Sequence, residues 1–291
     1  MDLSGWRTDA GSLTAFLVPG VFVPLLLLVL AFWQPTRRQV RRWGAVCDVV
    51  ITDGNEEQVR SHLGRGRRFR SVAAFPFWWL MGIRVVYADF PAALASPYPA
   101  IAAYVGAALF AEATSTTATA PVAVRHATLL ARSMADYVPR WTRVLPWALI
   151  VLGAAATVLG RHVDSSTSTR QAAVVVVAAA AFTAAAEMVG HRLVRRPQRG
   201  SDPDVLAADD GLRAAGVSTA QAAAGLAGVA AAWTGVAAGT PVATGAWVLA
   251  FAPPSMTAMG LAIGFLCCIV RQETWGYRRR HRQPAWVAVS A

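Results

Sequence analysis

Apolar runs long enough to cross a membrane recur along this chain, and nearly all of its charge lies between them. A helix needs about 20 apolar residues to span the hydrocarbon core of a bilayer. Seven stretches meet that need: residues 12–33, 72–88, 99–113, 143–160, 171–190, 219–239 and 246–270. The second is short and carries Arg84. The pattern predicts an all-α membrane protein, a bundle of about seven transmembrane helices. It forms a single polytopic domain over residues 1–291, with short amphipathic helices in its connections. Pro19, Gly20, Pro24 and Pro253-Pro254 interrupt the first and last runs, where neighbouring helices must satisfy the freed carbonyls. Gly235-x-x-x-Gly239 and Gly260-x-x-x-Gly264 permit close helix approach.

The basic residues orient these spans. With the N-terminus outside, 23 Arg fall in cytoplasmic segments and only Arg7, Arg161 and Arg170 fall outside. Cytoplasmic loops carry the excess of basic residues, so the expected topology is N-out and C-in. The front end, MDLSGWRTDAGS, lacks a basic n-region, and TRRQVRR stands where a cleavage site would be. The first span is therefore expected to be retained as an anchor.

Composition agrees with a bilayer as the main solvent. The chain is 15% charged and 55% hydrophobic, with a mean hydropathy of +0.42, against about 25% charged in soluble domains. Its net charge is +11, and all 27 of its basic residues other than His are Arg. A nucleic-acid reader would gather those residues on one continuous face; here they are dispersed between spans, and no nucleic-acid partner is expected. The expected contact is a bilayer with anionic headgroups. Cys47, Cys267 and Cys268 form neither a disulfide framework nor a zinc ligand set.

Ionisable groups inside spans are candidates for function. Glu112 and Glu187 each stand near the inner end of a span, and His191 follows Glu187 at i+4, on the same helical face. A proton or ion relay could be assembled from Glu112, Glu187 and His191, with His126 nearby in sequence. The alternative is that they are interfacial residues within reach of water. Arg84 can snorkel toward Asp89. No H-E-x-x-H, G-x-S-x-G or Walker A motif is present, and the last is impossible without Lys. No catalytic residue, cofactor or metal is expected.

Three connections carry the cytoplasmic mass. The basic connection 34–70 includes TDGNEEQVRSHLGRGRRFR, where Asp53 or Asn55 can cap a helix and Glu56-Glu57 suit its first turn. It reads as a helix lying on the surface and feeding the second span, or as a docking helix. In RHATLLARSMADYVPRW, Leu130, Met134 and Tyr137 share a helical face, Arg132 pairs with Asp136, and Pro139 ends the helix. Tyr137 and Trp141 suit the headgroup level.

The third connection holds SDPDVLAADDGLRAAG. Asp202 can cap a helix with Pro203 at its first position. Val205, Ala208, Leu212 and Ala215 make an apolar stripe, Asp209 and Asp210 reach Arg213, and Gly216 can stop the helix. Membrane CDP-alcohol phosphotransferases begin a metal site with Asp-Gly-x-x-Ala-Arg. Here Ala214-Ala215 replaces Ala-Arg and no Asp follows residue 210, so a two-metal site cannot be built. The acidic cluster Asp209, Asp210 and Arg213 is instead expected to dock a partner. The second and third connections share a plan, each following a span that ends in Ala-Glu.

The pieces GRRFRS, YVGAALFAE, RHATLLARSMADYVPRW and SDPDVLAADDGLRAAG resemble those of uncharacterised multi-pass integral membrane proteins of actinobacteria. The resemblance covers most of the chain from about residue 55. It carries over no catalytic residues. Because some such proteins are encoded near ABC transporter ATPases, it implies a cytoplasmic protein partner such as an ABC-type ATPase. The expected function is a non-catalytic membrane subunit, permease-like. The alternative is a self-contained small-solute or proton-coupled transporter using Glu112 and Glu187. An intramembrane enzyme comes third.

Overall fold

A computed structural model describes residues 21–47, 49–86, 97–115, 133–163, 167–196 and 203–239. These are all-helical, with no strand among them. The expected span 246–270 and the first part of 12–33 lie outside the described residues, as do Asp89, His126, Asp202, Cys267 and Cys268. The side chain of Arg84 lies outside them as well.

Seven α-helices follow in order among the described residues: α1 Val23–Phe32, α2 Arg37–Cys47, α3 Asp53–Val86, α4 Pro97–Ser115, α5 Arg140–Val163, α6 Thr167–Arg195 and α7 Pro203–Gly239. A short 3-10 turn, Met134–Asp136, precedes α5. The helices fall into two compact units. One holds α1, α3, α4 and the first half of α2; the other holds the end of α2, the turn, α5, α6 and α7.

Three helices, all in the second unit, are long and apolar enough to cross a membrane: α5, α6 and α7. Their 24, 29 and 37 residues extend about 36, 44 and 55 Å at 1.5 Å per residue. The first two exceed the ~30 Å hydrocarbon core modestly, and α7 exceeds it by far. Large apolar side chains face outward on α5 (Val151, Leu152, Val158, Leu159) and α6 (Val174, Val177, Met188), each between 52% and 69% exposed. Such surfaces suit lipid, not water. By contrast α7 is buried along most of its length and packs against both α5 and α6.

Glycine makes that central packing possible. A Cβ on Gly228 would stand 2.8 Å from the Pro146 carbonyl oxygen, and one on Gly235 would overlap the backbone of Gly153. Residues 146 and 153 thus meet 228 and 235 in the same order, so α5 and α7 run parallel, in direct contact, and α6 runs back antiparallel to both. Where α5 meets α6, Ile150, Val176, Ala179 and Ala231 close an apolar core. Gly235 had been expected to serve close packing; Gly153 and Gly228 had no i,i+4 glycine partner to reveal them.

In the first unit α3 packs on α1 and α4. The predicted break between a surface-lying helix and the second span is absent: α3 runs 34 residues without interruption, through Pro76. Its start is fixed by Thr52, whose N–H donates to Asn55 Oδ1 at 2.9 Å, so Asn55 acts from the first turn and is fully buried. The amphipathic helix of this connection is α2 instead. A reciprocal capping box of Thr36 and Gln39 begins it. Val40, Gly44 and Cys47 are buried along one face, while Arg38, Arg41 and Arg42 are exposed.

Two further expectations are corrected. Of the helix expected around Leu130, Met134 and Tyr137, the part before Ser133, with Leu130 and Arg132, lies outside the described residues; the rest is a 3-10 turn, Met134–Asp136, in which Asp136 accepts from the N–H and hydroxyl of Ser133. Pro139 stands just ahead of α5 and offers its carbonyl to the Thr142 hydroxyl at 2.7 Å. The stop at Gly216 does not occur either, since α7 passes through it. Gly216 is buried. An interior glycine costs a helix about 1 kcal/mol, less than the buried backbone groups that a break would leave unpaired.

Candidate functional site

The acidic cluster of α7 lies inside the second unit. Asp209, Asp210 and Arg213 are 2%, 7% and 3% exposed. Arg213 Nε and Nη2 donate to Asp209 Oδ2 at 3.0 and 2.7 Å, and its Nη1 donates to the Arg196 carbonyl at 2.6 Å. That carbonyl lies one residue beyond α6, where helix carbonyls have no intrahelical donor and the dipole favours a cation. One turn of α7 thereby holds the end of α6. Asp210 holds the approach to α5, because Tyr137 donates its hydroxyl to Asp210 Oδ1 at 2.9 Å. Between the two Asp and Arg213 sits Gly211, where a Cβ would stand 2.9 Å from Val49 and 3.2 Å from Trp43.

The cluster therefore works as a clamp that gathers α7, the end of α6 and the turn before α5. Docking at Asp209, Asp210 and Arg213 requires exposed groups, and their burial leaves little surface to a partner. Tyr137, placed at the headgroup level by sequence, is only 3% exposed and belongs to this clamp. Trp141 is half exposed at the start of α5.

The three relay candidates find other partners. Glu112, on α4 and 3% exposed, faces His62 Nε2 of α3 at 3.4 Å. Glu187, on α6 and partly buried, accepts from Trp147 Nε1 of α5 at 3.2 Å. His191 is exposed one turn further along α6. Glu112 belongs to the first unit, and Glu187 and His191 to the second. Among the described residues no group of three His, Cys, Asp or Glu side chains is placed to hold a metal.

Sequence reasoning missed His62 as the Glu112 partner. The signal was there in principle. On α4, Tyr104 has its ring 5.9 Å from the Arg70 guanidinium of α3, and Phe110 meets Phe69 of α3 edge-on at 5.4 Å. A row of polar and aromatic groups along 62–70 matched by one along 104–112 marks two antiparallel helices in register.

The α3 face from Glu57 to Val72 borders a cleft of about 530 Å³, closed on its other side by Gln34 and Pro35. Arg60, Arg65, Arg68 and Phe69 line it. Arg60 is held by Glu56 and lies 3.8 Å from Glu57. Arg65 and Arg68 have no ion pair among the described residues. Comparison of the chain with protein-family models, with curated proteins and with solved structures finds no match.

Proposed function

We propose that the chain is a seven-span protein of the cell membrane, N-out and C-in, acting as a non-catalytic, permease-like subunit with a cytoplasmic partner such as an ABC-type ATPase. The observation that carries this reading is α2. It is a short helix in the first cytoplasmic connection, with Arg38, Arg41 and Arg42 exposed on the face opposite its buried Val40, Gly44 and Cys47. A basic face of this kind suits a partner with an acidic surface. Chain purified in mild detergent from its native host is expected to carry one stoichiometric cytoplasmic protein. Changing Arg38, Arg41 and Arg42 to Glu removes that protein without altering the elution volume of the chain itself. Recovery of the chain with no stoichiometric companion would sink the proposal.

A second reading, a proton-coupled transporter, is favoured by the buried Glu112 facing His62. A carboxylate withdrawn from water beside an imidazole can pass a proton. On α3, His62 stands about 15 Å from Val72, at 1.5 Å per residue, beyond the end of the span expected from residue 72, while Glu112 stands at the inner end of the span expected over 99–113. If Glu112 carries protons, Glu112→Gln in proteoliposomes abolishes proton flux measured with a pH-sensitive dye. Flux equal to that of the unaltered chain refutes the reading.

A further inference from the structure

The cleft on α3 has a chemistry that the partner and transporter readings leave unused. Arg65 and Arg68 recur with Glu57, Ser61 and Val72 on one helical stripe, and the stripe changes character along its length. At its far end Arg60 is neutralised by Glu56 and Glu57. In its middle are two guanidinium groups with no acidic partner among the described residues. At its near end Phe69 and Val72 are exposed at 36% and 55%. Across the cleft, Pro35 packs 3.4 Å from the position of a Gly64 Cβ, and the apolar run of α1 ends at Trp33. Leu25, Leu26, Val29 and Phe32 of α1, the helix that leads into Gln34 and Pro35, are exposed apolar side chains.

We propose that this cleft binds one anionic glycerophospholipid, its phosphate held by Arg65 and Arg68 and its acyl chains laid along Phe69, Val72 and the exposed side of α1. The inference rests on the reading that α1 and the second half of α3 enter the bilayer. On that reading Arg68 and Arg65 stand about 6 and 10 Å above Val72 along the helix, within or just beyond the headgroup layer. A cleft of about 530 Å³ is the size of an ordinary small-ligand site, about 300–1,000 Å³. Guanidinium groups present paired donors that match phosphate oxygens. A free phosphate compound would satisfy the two Arg but would leave the apolar end of the stripe facing water. A phospholipid satisfies both ends.

Native mass spectrometry of the full chain, titrated with phosphatidylglycerol or phosphatidylcholine, tests this. One phosphatidylglycerol is expected to stay bound where phosphatidylcholine does not. The pair R65Q and R68Q together weakens that binding by roughly thirtyfold, the loss of two near-surface lipid contacts. Both side chains reach solvent, so helicity by circular dichroism stays unchanged. R38Q with R41Q, on α2 outside the cleft, leaves binding intact.

Equal retention of the two lipids, equal loss in the α2 variant, or displacement by millimolar inorganic phosphate would overturn the proposal. The bilayer placement is checked separately by a fluorophore at Val72→Cys. Quenching from lipid and not from water upholds it. Quenching from water overturns the placement, and the lipid site with it, whereas lipid quenching without selective phosphatidylglycerol binding overturns the site alone.

Discussion

Valine at Gly153 or Gly235 is expected to drive α5 away from α7 and to cost about 3 kcal/mol or more, the upper end of the overpacking range. The reason lies in which atoms are in the way. A Cβ at Gly235 meets the carbonyl, Cα and oxygen of Gly153, and one at Gly153 meets the backbone of Ala231 and Ala232. Side-chain neighbours can change rotamer; the backbone of a helix cannot retreat without moving the whole rod. Between helices in lipid, small residues are what allow such approach, because apolar burial supplies no net drive between them. The measurement is the denaturation midpoint of the purified chain in detergent, read by circular dichroism and by size-exclusion profile. Gly54→Ala is the control, since its nearest neighbour, the Thr52 hydroxyl, lies 3.8 Å from a built Cβ. Equal midpoints for Gly235→Val and Gly54→Ala would show that α5 and α7 do not meet at these glycines.

What was legible in the sequence divides along a physical line. Hydrophobic run length located the cores of α4, α5, α6 and the second half of α7, because an apolar stretch of that size has little alternative to a helix. It misjudged where helices end. Gly216 and the boundary near residue 71 carry ordinary breaking or polarity signals, yet α3 and α7 run through them. A burial pattern spread around α7 gives no single stripe to read, so Val205, Ala208, Leu212 and Ala215 suggested an outer helix when the charged face was also inside. Tertiary partners were the least legible. His62 with Glu112, Tyr137 with Asp210 and Trp147 with Glu187 join residues 50, 73 and 40 positions apart, beyond any local spacing rule. Local charge pairing did succeed for Asp209 and Arg213, four residues apart on one helix.

That success also decides how the acidic cluster should respond to mutation. Asp209→Ala is expected to destabilise the second unit by about 3–5 kcal/mol, the cost of stranding one charge of a buried pair. Arg213 is 3% exposed, so without Asp209 its guanidinium keeps only the Arg196 carbonyl among the contacts described above. Replacing both partners, Asp209→Leu with Arg213→Met, removes the stranded charge and recovers most of the loss. Recovery stops short of complete. The Arg196 carbonyl beyond α6 then loses its 2.6 Å bond from Arg213, and one such hydrogen bond contributes about 0.5–1.5 kcal/mol. Asp210→Asn should be mild, because the amide oxygen can still accept from the Tyr137 hydroxyl. A double-mutant cycle on denaturation midpoints separates these terms. A neutral Asp209→Ala would mean that the guanidinium reaches water and that the clamp does not form. The acidic pair would then be free for the docking role its composition first suggested. A large loss, rescued in the double variant, assigns the cluster to holding α6 and α7 together.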